Sequence, residues 1–224
     1  MASADRDDWC DRLAESTGLP VLDGWSPDGG LWSRGVRFAN GPFLDIHNPP
    51  PDEEPPPPSV LLRGSLAEAE TLAGQRSWRF KASRRSDAQP DQASPWSLGY
   101  FSRGQGVLSR IGLIEYEVDP ATCGNPEYSV PLFALRSASG SGARLDRVWM
   151  GVEDEDAAGL ELCALGFTPV GEVRAPPDRV GRRFAHTVCD LVLFQGQDGV
   201  SRLDISASVR GVTLKLAGLE VVCS

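Results

Sequence analysis

Long apolar runs are absent from this chain of 224 residues. No stretch approaches the roughly 18 to 20 apolar residues that a membrane-spanning helix needs, which excludes a spanning protein and a membrane partner. The first ten residues, MASADRDDWC, are acidic and lack the apolar core of a secretory signal. Together these two absences predict a cytoplasmic protein.

Motifs that carry familiar chemistry are also scarce. The chain has no GxSxG elbow, no P-loop and no dinucleotide fingerprint. It has only two histidines, His47 and His186, so one chain cannot form a histidine-rich metal site. The five cysteines are odd in number and show no Cys-x-x-Cys spacing, which predicts free, buried thiols.

Basic residues are outnumbered, with 22 lysines and arginines against 31 acidic residues and a formal net charge of -9. A field of that sign repels phosphate backbones, so the composition predicts no nucleic-acid partner. The local basic stretch between Arg76 and Arg85 is interpreted as a solvated strand and loop.

Proline and small residues divide the chain. A proline-rich tract predicts an extended spacer, because proline lacks the amide donor that a sheet needs. A glycine- and serine-rich stretch predicts a flexible linker. The predicted divisions are an incomplete first module at 1–48, the proline-rich linker at 49–58, a second module at 59–136, the glycine/serine linker at 137–143 and a third module at 144–224.

The second and third segments share one predicted order of elements, β-α-β-β-β. In the second segment Ser65 and Glu68 have capping-box spacing at the start of the helix. The first segment starts almost at its helix and therefore lacks the first strand. We expect the apolar C-terminal tail, 211–222, to fill that vacant slot or to cover its edge. The alternative is a partner chain that supplies the strand, as in a homodimer.

Two tripeptides recur in the first and third segments. Arg-Phe-Ala stands at 37–39 and 183–185, each time two residues after a glycine, and Leu-Asp-Ile stands at 44–46 and 203–205. Together with the glycines that end the two helices, Gly18 and Gly166, these landmarks indicate an internal repeat. The longer spacing in the third segment predicts an inserted hairpin.

Three stretches resemble the vicinal oxygen chelate superfamily, which includes the glyoxalases and bleomycin-resistance proteins. They are LDRVWMGVEDEDAAGLELCALGFTPVGE at 145–172, GVRFANGPFLDIHNP at 35–49 and LSRIGLIEYE at 108–117. The resemblance implies an α+β fold of repeated β-α-β-β-β modules whose mixed sheets form a cup. It also implies that a small-molecule ligand sits in that cup.

Enzymes of this superfamily bind a divalent metal through His or Gln on a first strand and Glu on a last strand of each module. At the first-strand position of the third segment this chain has Arg147, which cannot be a metal ligand. Acids remain at the last-strand positions that the resemblance suggests, Asp45, Glu115 and Asp204. We therefore predict no cofactor, with a divalent metal held by carboxylates and water left open.

Three residues are the catalytic candidates. Asp45 and His47 are two residues apart on one predicted strand, so they share a face and can act as an acid-base pair or as two ligands. Glu115 shares a face with Ile111 and Leu113, which would place its carboxylate in the cup. The alternatives are an exposed His47 at a strand end and a surface position for Glu115. The same three residues are the alternative metal-ligand set.

Five further residues are candidates for ligand binding. Arg37 belongs to the repeated triplet and would clamp an anion; its alternative is an outward-facing strand residue. His186 is a candidate because it follows the second copy of the triplet; the alternative is a histidine of the core or its rim. Trp32 and Trp96 lie beside predicted loops. The set is Trp32, Arg37, Trp96, His186 and Asp204.

The leading hypothesis for function is a glyoxalase-like protein that binds a small organic molecule with a degenerate metal site. It would be a metal-free enzyme or a binding and resistance protein of secondary metabolism. The alternatives are a metal-dependent lyase, isomerase or dioxygenase, and a structural or regulatory protein whose cup is filled.

Overall fold

The computed structural model describes residues 5–25, 31–40, 42–48, 58–84, 96–101, 106–116, 142–175, 178–216 and 218–224. The chain forms two compact units: a first unit of Met1–Pro58 with Ala134–Ser224, and a second unit of Ser59–Phe133. Most of the two predicted linkers lies outside the described residues. The segment boundaries therefore remain predictions. No helix in the described ranges is long and apolar enough to cross a membrane.

The second unit is one complete β-α-β-β-β module, as the sequence predicts. Its elements are β4 Val60–Arg63, α2 Leu66–Arg76, β5 Phe80–Ser83, β6 Trp96–Phe101 and β7 Ile111–Tyr116. The sheet has the order β4-β7-β6-β5, with β4 parallel to β7 and the other pairs antiparallel. Ser65 caps α2 by accepting a hydrogen bond from the backbone N–H of Glu68, which confirms the capping position.

The third segment repeats that arrangement inside the first unit. Its elements are β8 Arg144–Val152, α3 Glu155–Ala164, β9 Thr168–Ala175, β10 Arg179–Ala185 and β11 Asp190–Gln195. The order β8-β11-β10-β9, with β8 parallel to β11, matches the order in the second unit. Asp154 caps α3, because its carboxylate accepts from the backbone N–H groups of Asp156 and Ala157.

Three more strands extend this sheet to seven. They are β12 Gly199–Ser206, β13 Val212–Leu216 and β14 Leu219–Cys223. β12 pairs antiparallel with β8, β14 lies parallel to β12, and β13 forms the outer edge. The order β12-β14-β13 therefore repeats the first, fourth and third strands of a module without its helix and second strand.

The first segment forms a three-stranded antiparallel sheet in the first unit. The segment consists of the helix α1 Arg6–Thr17 and the three strands of this sheet, which are β1 Leu22–Trp25, β2 Leu31–Arg37 and β3 Phe43–His47. Within the described residues the C-terminal tail pairs with β12 and not with this sheet, so the prediction that it fills the vacant slot is wrong. Instead α1 packs against both β2 and β13.

The topology separates the two recurring tripeptides. Arg-Phe-Ala begins at the last residue of β2 and forms the last three residues of β10, and these are equivalent third strands. Leu-Asp-Ile lies on β3 in the first segment but on the added strand β12 in the third. The strand equivalent to β3 is β11. Asp204 is therefore not at a last-strand position, and the inserted-hairpin interpretation is wrong.

Each helix covers one face of its own sheet, and we call the opposite face the open face. In the seven-stranded sheet α3 packs on Phe184. Gly159 of α3 is so close to the Phe184 ring that a Cβ atom on this glycine would lie 3.0 Å from it. Phe184 lies opposite Leu191, which in turn lies opposite Val148. Since side chains alternate along a strand, the neighbouring Arg147 and Trp149 belong to the open face.

Candidate functional site

The open face of the seven-stranded sheet carries a network of charged side chains on its central strands. Asp204 on β12 accepts three hydrogen bonds: 2.6 Å from Nε of Arg202, 2.8 Å from Nε1 of Trp149 and 3.4 Å from Nη1 of Arg147. Arg202 also donates to Glu220 on β14 at 3.2 Å. These acids are thus paired with arginines, which offsets the cost of burying them.

The ring of Trp149 fills the middle of this open face. It is fully buried and packs with Ala175, Val192 and Phe194. The guanidinium of Arg202 lies 5.6 Å from the centre of the Trp149 ring, within the range of a cation–π interaction. The part of the face around Trp149 is therefore a packed core.

Three charged residues form the solvent-accessible rim of the same face. Arg147 on β8 lies opposite Asp190 on β11, and Nε of Arg183 on β10 lies 3.4 Å from Oδ2 of Asp190. The side chains of Arg147, Asp190 and Arg183 are 34%, 25% and 37% exposed. Two guanidinium groups and one carboxylate thus face solvent at this rim.

The open face of the three-stranded sheet brings Asp45 and His47 together. The Nε2 atom of His47 lies 3.1 Å from Oδ2 of Asp45, and both side chains are about one-third exposed. Ser33 lies opposite His47, and Gly35 lies opposite Asp45. Arg34, between them, faces α1 and pairs with Asp11, so the Asp45–His47 pair lies on the side of the sheet away from α1.

Burial raises the pKa of the Asp45 carboxyl, but the hydrogen bond and charge interaction with His47, together with a hydrogen bond from Ser33, contribute to a larger lowering, so that its pKa lies below the ordinary value of 3.8. Asp45 is therefore ionised at neutral pH. The Nδ1 atom of His47 is buried, and its Nε2 faces Asp45. Ser33 was not among the sequence candidates, although its position opposite His47 follows once β2 and β3 are paired.

Glu115 lies on the helix-covered face of its sheet, whereas the sequence predicts that it faces the cup. It shares a side of β7 with Leu113, as expected, but that side is covered by α2. Its Oε2 accepts a 3.4 Å hydrogen bond from the backbone N–H of Leu66, the first residue of α2. Placement in the cup is therefore wrong, and the carboxylate interacts with the positive end of a helix.

The remaining candidates are scattered. Arg37 shares the open face of β2 with Ser33, and Trp96 lies opposite Tyr116 on the open face of the second unit. The ring of His186 is half-buried and packs 4.7 Å from that of Phe167. Trp32 lies on β2, and its side chain is outside the described residues.

The thiols differ from one another in exposure. Cys10 and Cys223 are buried, as predicted, whereas Cys163 is exposed and Cys189 is half-buried. Cys123 lies outside the described residues. The prediction of uniformly buried thiols is therefore wrong for Cys163.

The donor set does not fit a divalent metal of the kind the superfamily binds. Among the described residues no group of three His, Cys, Asp or Glu side chains is positioned to hold an ion. Asp45 and His47 are bonded to each other, and Asp204 is held by Arg202 and Trp149. Glu115, the third member of the alternative ligand set, belongs to the second unit and bonds to α2.

Comparison with solved structures shows the fold. A hypothetical protein from Staphylococcus aureus superposes with a TM-score of 0.65 at 7% identity, covering 100% of this chain and 95% of that one. Homoprotocatechuate 2,3-dioxygenase from Arthrobacter globiformis gives 0.56 at 14% identity, covering 93% of this chain and 62% of that enzyme. A variant of 4-hydroxymandelate synthase from Streptomyces coelicolor gives 0.57 at 13% identity, covering 93% and 68%.

These similarities define an α+β protein with the vicinal oxygen chelate fold, as the sequence resemblance implies. This chain spans less than two-thirds of the length of the homoprotocatechuate dioxygenase. No protein-family model and no curated protein sequence matches the chain.

Proposed function

We propose that this chain binds a small organic molecule on the open face of the three-stranded sheet and uses no resident metal there. The observation that carries the proposal is the 3.1 Å contact between His47 and Asp45 on the side away from α1. A carboxylate with a lowered pKa and a partly exposed imidazole offer a hydrogen-bond acceptor and a polar ring to a ligand.

Binding is favoured over catalysis by the geometry of His47. Its Nε2 atom is directed at Asp45, and its Nδ1 atom is buried. A general base must reach the proton that it removes, so His47 would have to rotate before it could act on a ligand. We therefore propose a ligand-binding or resistance protein with the vicinal oxygen chelate fold.

A screen of small organic molecules by ligand-observed NMR tests this proposal. We expect Asp45→Asn and His47→Gln to weaken a ligand found with the unaltered chain by about tenfold or more, since hydrogen bonds to charged groups contribute ~1.5–3 kcal/mol. Asp23→Asn is the matched control. Asp23 is on the same sheet but bonds to Arg34 on the helix-covered face. Unchanged affinity in both test variants would refute the proposal.

The fully buried ring of Trp149 favours a second candidate for the other sheet. With its middle packed by Trp149, the central part of the seven-stranded sheet would have a structural role, as distinct from the rim at Arg147. In that case no ligand from the screen should perturb the NMR signal of the Trp149 indole N–H, assigned by its loss in Trp149→Phe. A ligand that shifts that signal directly would contradict the structural role.

A further inference from the structure

Arg147 is held less tightly than its neighbour Arg202 on the open face of the seven-stranded sheet. Its Nη1 atom is 3.4 Å from Asp204, and its Nε atom is buried without a hydrogen-bond partner in the described parts of the chain. Arg202, by contrast, donates to both Asp204 and Glu220. Within the described ranges Arg147 is thus held by one 3.4 Å contact, which leaves its exposed guanidinium nitrogens more available to an acceptor brought by a ligand than those of Arg202.

The charges around Arg147 select the sign of that ligand. Asp204 is held most closely by Arg202 and Trp149, at 2.6 and 2.8 Å. The groups left at the rim are the guanidinium groups of Arg147 and Arg183 and the carboxylate of Asp190, which bonds to Arg183. The network as a whole balances three arginines against three acids, but Asp204 is shared among Arg147, Arg202 and Trp149. The positive charge of Arg147 is therefore only partly neutralised, which is complementary to an anion.

The shape of the site limits the ligand to a small one. The fully buried Trp149 lies next to Arg147 on the open face and fills the space on that side of Arg147. Solvent reaches Arg147 only at the rim, where about one-third of its side chain is exposed. A guanidinium presents parallel N–H donors in a plane, which match the two oxygens of a carboxylate.

We propose that Arg147 binds the carboxylate of a small organic anion at the rim of the seven-stranded sheet, with Arg183 beside it. The site lies on a different sheet from the Asp45–His47 pair, so it is a second site and does not depend on the proposed function. At the first-strand position where the resemblance expects a metal-binding histidine, this chain presents a fixed positive charge that attracts an anionic oxygen directly.

Titration of the full chain with oxalate tests the site. In ¹⁵N NMR spectra of the arginine Nε–Hε groups, we expect the Arg147 signal, assigned by its loss in Arg147→Lys, to shift with oxalate and to saturate. Arg182 is the matched reference, because it is an exposed arginine on the helix-covered face and pairs with Asp156. Equal shifts at Arg147 and Arg182, or no shift at Arg147, would overturn the proposal.

Calorimetry with variants separates this site from the first one. Arg147→Met should weaken oxalate binding at least tenfold, whereas Arg182→Met and Asp45→Asn should leave it unchanged. Oxalate affinity that persists in Arg147→Met, or that is lost in Asp45→Asn, would refute a separate site at Arg147. If Arg147→Met does not fold, the NMR titration of the unaltered chain decides the question.

Discussion

The indole N–H of Trp149 donates a 2.8 Å hydrogen bond to the Asp204 carboxylate, which joins the largest buried side chain of the seven-stranded sheet to its charged network. A buried indole N–H needs an acceptor, and a buried carboxylate needs donors. Each therefore satisfies the other. This pairing explains why position 204 is an acid: the carboxylate serves as a buried acceptor in the packing of the sheet, and no metal is needed to account for it.

Asp204→Ala should strongly destabilise the first unit. Among the described residues, the change leaves Glu220 as the one acid paired with the buried guanidinium of Arg202, and it removes the acceptor of the Trp149 indole. Removing one partner of a buried pair costs about 3–5 kcal/mol. Urea unfolding followed by tryptophan fluorescence measures this loss.

The control for Asp204→Ala is Asp156→Ala. Asp156 also pairs with an arginine, Arg182, but its side chain is 91% exposed. An exposed pair contributes about 0–1 kcal/mol, so this variant should unfold close to the unaltered chain. Equal losses in the two variants would mean that the buried network contributes no more than a surface ion pair.

Local signals explain how much of the fold could be predicted from the sequence. The spacing of Ser65 and Glu68 marks the start of α2, and Gly18 ends α1 in a left-handed conformation. These are contacts between near neighbours. The place of β12 between β8 and β14 depends on partners far away in sequence, so the Leu-Asp-Ile repeat misidentified β12 as a last strand.

The error at Glu115 has a different physical origin. Alternation along β7 correctly places Glu115 on the same side as Leu113. The period of two does not reveal which side the helix covers, because both sides of this strand carry apolar residues. The pairing of Asp45 with His47, by contrast, needed only two residues on one strand and was predictable.

Replacement of Glu115 tests its structural role. Glu115→Gln should lower the free energy of unfolding by about 0.3–1 kcal/mol, because it removes a negative charge from the N-terminus of α2. Ser65→Ala, which removes the cap of the same helix, should cost about 1 kcal/mol. Urea unfolding measures both changes. We expect ligand binding to be unaffected by Glu115→Gln, and a large loss of affinity with unaltered stability would place Glu115 in a binding site instead.

The lowered pKa of Asp45 predicts how its contribution to stability depends on pH. A carboxyl whose pKa is lower in the folded chain stabilises the fold above its unfolded pKa of about 3.9, and that contribution is lost as pH falls through the folded pKa. The stability difference between the unaltered chain and Asp45→Asn should therefore be constant near neutral pH and shrink below about pH 4. Chemical unfolding at a series of pH values measures it.

His47→Gln provides the companion measurement for Asp45. His47 supplies a hydrogen bond that lowers the pKa of Asp45. Its replacement should therefore weaken the loss of stability below pH ~4. A pH profile identical to that of the unaltered chain would show that His47 does not interact with the Asp45 carboxylate in solution.

Thiol labelling should distinguish the cysteines by burial. Burial raises the pKa of Cys10 and of Cys189 to about 11, so at pH ~8 only about a thousandth of either thiol is the reactive thiolate. Cys163 is exposed on α3. Iodoacetamide should therefore modify Cys163 well before Cys10, Cys189 or the buried Cys223, as measured by mass spectrometry of peptides. Labelling in urea should equalise the four rates, because unfolding exposes every thiol, and rapid labelling of Cys10 in the native chain would contradict its burial against the core of the first unit.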